Sequence, residues 1–388
     1  MKIVLKKYWV FILLFLSAAC EQNEMPSVHI NLLEDIGWKY KTKGEFIFSK
    51  SPNDTLKGKL KLRGGMSSRY NKHSYTIEFD SLFCPGSLPC DDDFILNANY
   101  IDKSFMRHKI SYDLFREMSP SNKSVRSSYI ELYLNNQYDG LYVLMEKINA
   151  SFLGLNKSDS LSMLFKDPPI FRTKPYKKLD TGNIYNQKYP KFTVCNQSDY
   201  LETFRDFLFN SSDSEFTNHI KDWIDVKSVM DWHILLLLTH NGDGLQKNFY
   251  LYKQDANTPF KIAIWDYDHT FGRDGDNEKN DYRKVMFFEN SIVLNRLMQI
   301  ESTNYKKEIK ERWSELRSSS IISVQSLIRH MDKNYANIIE DVSKNSERWP
   351  VSEKWYFDNY TIKEELGLMK KYVKFKVNAL DTYFLELN

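Results

Sequence analysis

The stretch 230–253, MDWHILLLLTHNGDGLQKNFYLYK, constrains this chain most. Trp232 to Leu238 are apolar on every side of a helical projection, which suits a helix buried in a large core. The run breaks abruptly into Asn241, Gly242, Asp243 and Gly244, residues that favour turns. Beyond them, "NFYLY" and "FKIAIW" flank "KQDANTP", and this pattern predicts a β-hairpin over 248–268. The helix must stop by Asn241 so that Asp243 lies on an exposed loop. The hairpin then returns Asp266, at the end of an apolar strand, beside Asn248.

That ordering carries chemistry. In protein kinases a loop Asp orients the acceptor hydroxyl, an Asn five positions later holds Mg²⁺, and an Asp after a hairpin holds Mg²⁺ that bridges the phosphates. Carboxylate and amide oxygens suit such a hard cation, with a triphosphate supplying further ligands. A lone D-x-x-x-x-N is weak, because turn formers after a helix and a strand-end Asp give the same letters. The sequence of helix, Asp loop, hairpin and second Asp is much less common.

The rest of the chain has room for such a site. Its 388 residues, 42% hydrophobic and 15% aromatic, describe a folded protein with a sizeable core rather than a disordered one. With 54 Lys and Arg against 51 Asp and Glu, scattered along the chain, net charge gives no case for nucleic-acid binding. Alternating runs at 38–50, 55–65, 73–80 and 127–148 read as antiparallel strands. "NNQYDG" supplies a hairpin turn in the last of these, and Phe105, Ile110, Leu114, Phe115 and Met118 mark a helix packed on the sheet. Residues 36–150 thus form a β-rich N-terminal lobe. Residues 167–198 look irregular, and 151–388 form a mainly helical C-terminal lobe that carries the site. The fold class is α+β.

The first twenty residues have a basic start, an apolar segment and small residues ending in Cys20, which resembles a bacterial lipoprotein signal. The strict pattern wants Leu, Val or Ile three residues before the Cys, whereas Ser17 stands there and Leu16 one position earlier. Cys20 is the expected lipidation site, 21–35 the expected tether, and the lipid anchor the only membrane attachment. The protein is thereby expected to be exported and anchored, in the periplasm or at the cell surface. Cys84 and Cys90 flank "PGSLP", where a local disulfide is possible, and Cys195 is left over. No zinc spacing is present.

Five blocks in order resemble the CotH (spore coat protein H) kinase family. They are "LRGGMSSRYNKHSYTIEF", "LNANYIDKSFMRHKISYDL", "YIELYLNNQYDGLYVLMEKIN", "HNGDGLQKNFYLYK" and "FKIAIWDYDHTFG", spanning about 58–275. The resemblance implies a divergent protein-kinase-like fold, ATP with Mg²⁺ or Mn²⁺ as cofactors, and transfer of the γ-phosphate to a protein hydroxyl, Ser foremost. It implies Asp243 as the catalytic Asp, Asn248, Asp266 and Asp268 as metal ligands, and Arg63, Ser67, Arg69, Lys72 and Glu146 as ATP-binding residues. Gly64 and Gly65 permit close backbone approach to phosphates, and Lys72 or Arg69 would neutralise them. Glu146 matches a family Glu that would position Lys72. Arg107 matches a family position and touches phosphate or braces the fold. Where the family more often has Asn after Arg-Gly, this chain has Gly65.

Two other classes of reading compete. "IAIWDYDHT" also fits the first motif of haloacid-dehalogenase-type phosphatases, with Asp266 as nucleophile and Asp268 as acid/base. That motif leaves Asp243 and Asn248 idle and lacks a downstream strand ending in paired Asp residues. A non-catalytic surface adhesin or carbohydrate-binding protein on the same scaffold would suit the aromatic content and the anchor, because family resemblance does not prove turnover.

Overall fold

The computed structural model describes residues 24–174, 182–274, 279, 288–351, 353–355 and 358–388. The lipidation expected at Cys20 lies outside the described residues.

Period-2 alternation dominates the first part of the chain. β1 (Ser27–Leu32), β2 (Thr42–Phe48), β3 (Ser51–Arg63), β4 (Ser74–Phe83) and β5 (Asp91–Asn97) are followed by α1 (Arg107–Met118), β6 (Ser127–Leu134) and β7 (Gln137–Glu146). The seven strands close into a barrel in the order β1-β2-β3-β4-β5-β7-β6, sealed by parallel pairing of β1 with β6. Val28, Ile30, Phe46, Leu60, Ile77, Phe94, Leu132 and Leu144 fill its interior. The stretch expected to be a tether is corrected here. Val28 and Ile30 are fully buried, because β1 pairs with β2 on one side and with β6 on the other and so closes the barrel. The β6–β7 turn places Asn135 and Asn136 at φ 47° and 64°, the double left-handed geometry of a two-residue hairpin. Cys84 and Cys90 form a disulfide that closes the β4–β5 connection, and Cys195 is free and exposed.

The second part contains β8 (Met163–Lys166), β9 (Gln187–Tyr189), α2 (Ser198–Asn210), α3 (Asp213–Trp223), α4 (Val226–Thr239), β10 (Phe249–Lys253), β11 (Lys261–Ile264), α5 (Ile292–Gln299), α6 (Tyr305–Ser318), α7 (Val324–Arg348) and α8 (Ile362–Glu386). The expected hairpin is β10–β11, extended by β8 and β9 into a four-stranded sheet. α4 is buried along almost its whole length, as its apolar composition requires. It ends on His240 in the left-handed region, φ 57°. α1 shares the larger core with α4 and the helical half, while the barrel interior forms a second core. α1 therefore bridges the two halves rather than merely covering the sheet. Among the described residues no helix is long and apolar enough to cross a membrane.

Candidate functional site

Two backbone kinks build the site. Asn248 and Asp266 both have positive φ, 64° and 61°, a conformation Asn and Asp tolerate better than other side chains and one that clusters at functional sites. Asp167 holds the first kink, since one carboxylate oxygen accepts the Asn248 N–H (2.7 Å) and the Phe249 N–H (3.3 Å). The second is held by Tyr112 of α1, whose hydroxyl accepts the Asp266 N–H (3.0 Å). Between them Asn248 Nδ2 donates to the Asp266 carbonyl (2.9 Å). The amide nitrogen is thereby engaged, which leaves Asn248 Oδ1 to meet a cation.

His108, Asp266 and Asp268 bring one ligand atom each within 4.8 Å of one another. His108 Nδ1 accepts the Tyr267 N–H (2.9 Å) and lies 3.3 Å from the Tyr112 hydroxyl. A neutral imidazole so engaged carries its proton on Nε2, the atom 3.9 Å from Asp266 Oδ1. His108 thus turns an N–H edge toward the carboxylates, and the oxygens of Asp266, Asp268 and Asn248 are of the kind that would suit a hard cation. No Lys or Arg among the described residues forms an ion pair with either carboxylate; the imidazoles of His108 and His269 (3.8 Å from Asp268) lie beside them, while Lys166 and Arg63 act on Asp266 from farther away. The Asp266 side chain is half exposed; the desolvation it does meet, and then the Asp268 charge, raise its carboxyl above the ordinary value. Burial works the same way on Asp268, but His269, His108 and backbone N–H groups outweigh it and hold that carboxyl below the usual range. Two close carboxylates pushed apart in this way suit a divalent cation between them.

Of the other expected residues, Arg63 is the one with a described interaction with this pair. Arg63 is half-buried with its guanidinium 5.4 Å from the Trp265 ring. Burial lowers it from its ordinary value, against Tyr250 and Asp266. The loop after Arg63 contains a 3₁₀ turn, Met66–Arg69, that carries half-buried Ser67 and exposed Arg69. Gly64 has φ 146°, and a Cβ there would collide with Ser67 Oγ, so glycine is required. Tyr70 closes the loop against Tyr100 and Trp355; burial, then Asp268 and Asp266, push its hydroxyl up to about 12. Asp243 lies on the turn Asp243–Leu245, 44% exposed and ion-paired with Lys247 at 2.9 Å.

Lys72 and Glu146 are corrected. Lys72 is 1% exposed; its ammonium donates to the carbonyls of Ala98 (2.9 Å) and Leu141 and faces the Tyr142 ring at 4.1 Å. Burial drives it well below its ordinary value. Glu146 accepts the Arg126 N–H (2.6 Å). Leu141 and Glu146 stand five residues apart on β7, about 16 Å at strand rise. The two side chains therefore make no ion pair, and Lys72 braces the barrel rather than reaching phosphate. Arg107 is also structural. Fully buried, it donates to Asp102 (2.6 Å), Glu365 (2.7 Å) and the Thr270 carbonyl (2.8 Å).

Sequence reasoning missed His108, Tyr112 and Asp167. The first two had a signal, two polar groups at i and i+4 on the core face of a predicted helix; Asp167 had none. The phosphatase alternative also meets an obstacle. Downstream of β11 the described elements are helices and 3₁₀ turns, with no strand to carry the second carboxylate pair.

Comparison with known proteins agrees with this reading of the blocks. Residues 60–380 match the family described as CotH kinase protein. Inner spore coat protein H of Bacillus subtilis is 25% identical over 257 residues, 64% of this chain and 69% of that one. Among solved structures, the Helicobacter pylori proinflammatory kinase CtkA resembles it at 12% identity and a TM-score of 0.36, over 81% of this chain and 94% of the other.

Proposed function

We propose that this chain, which belongs to the CotH kinase family, is an exported atypical kinase that transfers the γ-phosphate of ATP to a protein hydroxyl, serine foremost. The observation that carries the reading is the pair Asp266 and Asp268, with Asn248 bonded to the Asp266 carbonyl, carboxylates that form no ion pair with a Lys or Arg among the described residues. Mg²⁺ or Mn²⁺ bound there would neutralise phosphate charge. On this reading the barrel and the helical half act as the two lobes, and Arg63, Ser67 and Arg69 would face the phosphates from the loop after β3. In the reaction the acceptor oxygen bonds to the γ-phosphorus, the bond to the β-γ bridging oxygen breaks, and ADP leaves. Asp243 orients the acceptor hydroxyl and takes its proton, for which its exposed position on the turn is suited. His108 Nε2 faces Asp266 at 3.9 Å, where it would adjust the charge of the carboxylate rather than bond it. The Cys84–Cys90 disulfide supports an oxidising, extracytoplasmic location, and the spore coat relative supports a surface one.

The test is labelling from γ-labelled ATP with Mg²⁺ or Mn²⁺, using the chain from Met25 onward and casein as acceptor. Metal-dependent labelling lost in Asp266→Ala is expected. Asp243→Ala should keep metal-dependent ATP binding and lose transfer; an unchanged rate in Asp243→Ala would refute its role. Absence of ATP binding altogether would replace the kinase by the non-catalytic surface module.

A further inference from the structure

The outer face of β2 and β3 is a second chemically distinct surface. β3 reads Leu56-Lys57-Gly58-Lys59-Leu60-Lys61-Leu62, so strand alternation sends the leucines inward and the three lysines outward. Lys43 of β2 stands directly opposite Lys59, and Thr42 opposite Leu60, which sets Lys41 against Lys61. Like charges facing each other across a sheet are destabilising, and barrel packing gives no reason to keep two such rungs. Two glutamates temper the field: Glu45 opposite Lys57, and Glu78, ion-paired with Lys41 and with Lys59. Lys43, Lys57 and Lys61 form no ion pair with described residues. At the end of these rows the β1–β2 connection exposes Trp38 and Tyr40, 43% and 71% accessible. The Leu62 N–H donates to the Gly37 carbonyl (3.1 Å), which pins that connection beside β3.

We propose that this lysine ladder, with Trp38 and Tyr40, is a docking surface for an anionic phospholipid bilayer. Ammonium groups neutralise lipid phosphates, and Trp and Tyr rings settle at headgroup level with the apolar body inward and the polar tip in water. β1 runs antiparallel to β2, so Ser27 stands beside Ser49, at the end of the barrel remote from Lys43 and Trp38. Seven Cα steps separate Cys20 from Ser27, a reach of at most about 25 Å, so an acylated Cys20 would tether that end and leave the long side of the barrel, on which the lysines stand, free to lie along the bilayer. This last argument rests on the exported, anchored reading; the charge pattern does not. Contact through this face goes beyond the anchor alone.

The decisive experiment is sedimentation of the chain from Met25 onward, which lacks Cys20 but retains every described element, with phosphatidylcholine vesicles made with and without phosphatidylglycerol. Binding is expected only with phosphatidylglycerol and should weaken as salt rises. The Lys43→Glu/Lys59→Glu variant should lower the partition coefficient at least tenfold, at about fivefold per lost lysine. Trp38→Ala/Tyr40→Ala should lower it while keeping the salt dependence. An unchanged melting midpoint in both variants separates surface loss from misfolding, whatever the labelling assay shows. Failure to bind, equal binding to both vesicle types, or binding that both variants retain would overturn the proposal. Retention on heparin without vesicle binding would overturn it in favour of a soluble anionic polymer.

Discussion

Two groups of carboxylates sit at opposite ends of the segment that follows β11, and the protein treats them in opposite ways. At its far end Asp102 and Glu365 are fully buried and answered by Arg107, at 2.6 and 2.7 Å; Arg273 pairs with Glu365 and with Asp358 (3.1 Å). At its near end Asp266 and Asp268 have imidazoles beside them, at 3.9 and 3.8 Å, and Arg63 and Lys166 reach Asp266 only from beyond ion-pair distance. The same few residues thus carry a finished ionic network and an unfinished one. A fold that seats guanidinium against carboxylate in one place and holds it at a distance in the other leaves room for a cation from solution at the near group.

The comparison breaks most visibly at Glu365. Glu365→Ala would leave Arg107 and Arg273 buried with one carboxylate fewer, at a cost of about 3–5 kcal/mol, read from urea denaturation; a wild-type midpoint would show that the network does not brace the segment. At the near end the expected sign differs. Asp266→Asn should leave metal-free stability unchanged or raised. It should also abolish a Mn²⁺-dependent stabilisation that in the wild type reaches about 2.7 kcal/mol at 100 times Kd, measured by thermal shift. Equal stabilisation of the variant would erase the distinction between the two groups.

His233 offers a third setting, buried on α4 beside the Tyr305 hydroxyl (3.2 Å), with its pKa pushed down to about 3 by burial. Its folded pKa lies below the unfolded value of about 6.5, so the unfolded chain binds more protons between the two. Stability is therefore full above about pH 6.5 and falls by about 1.4 kcal/mol per unit as pH drops toward 3. His233→Gln should flatten that slope in urea midpoints taken at neutral and acid pH; an unchanged slope would assign acid sensitivity to the carboxylates instead. The smallest effect belongs to Tyr112→Phe, which loses the bond from the Asp266 N–H. A stability cost of about 1 kcal/mol with weakened Mn²⁺ affinity is expected, and unaltered affinity would make Tyr112 merely a packing residue.

Much of this was legible. The apolar helix, the turn after it and the hairpin are local patterns, and Asn248 meeting Asp266 follows from them. What escaped reading depends on distant parts of the chain. β1 looks like a tether because its two buried positions acquire meaning only when β6, about a hundred residues later, seals the barrel. β5 is masked by Asp91, Asp92 and Asp93 at its start. Lys72 has the letter of a phosphate ligand, and only the folded barrel shows carbonyls and rings enclosing it. His108 and Tyr112 hide as helix positions until α1 is set against the segment after β11.

The span between Arg107 and Glu365, 258 residues, also orders events in time. Chains are made from the N-terminus, so α1 exists long before α8. Asp102 can meet Arg107 early, but the carboxylate of Glu365 arrives only once α8 has been made. Until then the guanidinium groups of Arg107 and Arg273 would have to stay in water. α8 therefore locks α1 to the segment after β11 late, after both of those have been made.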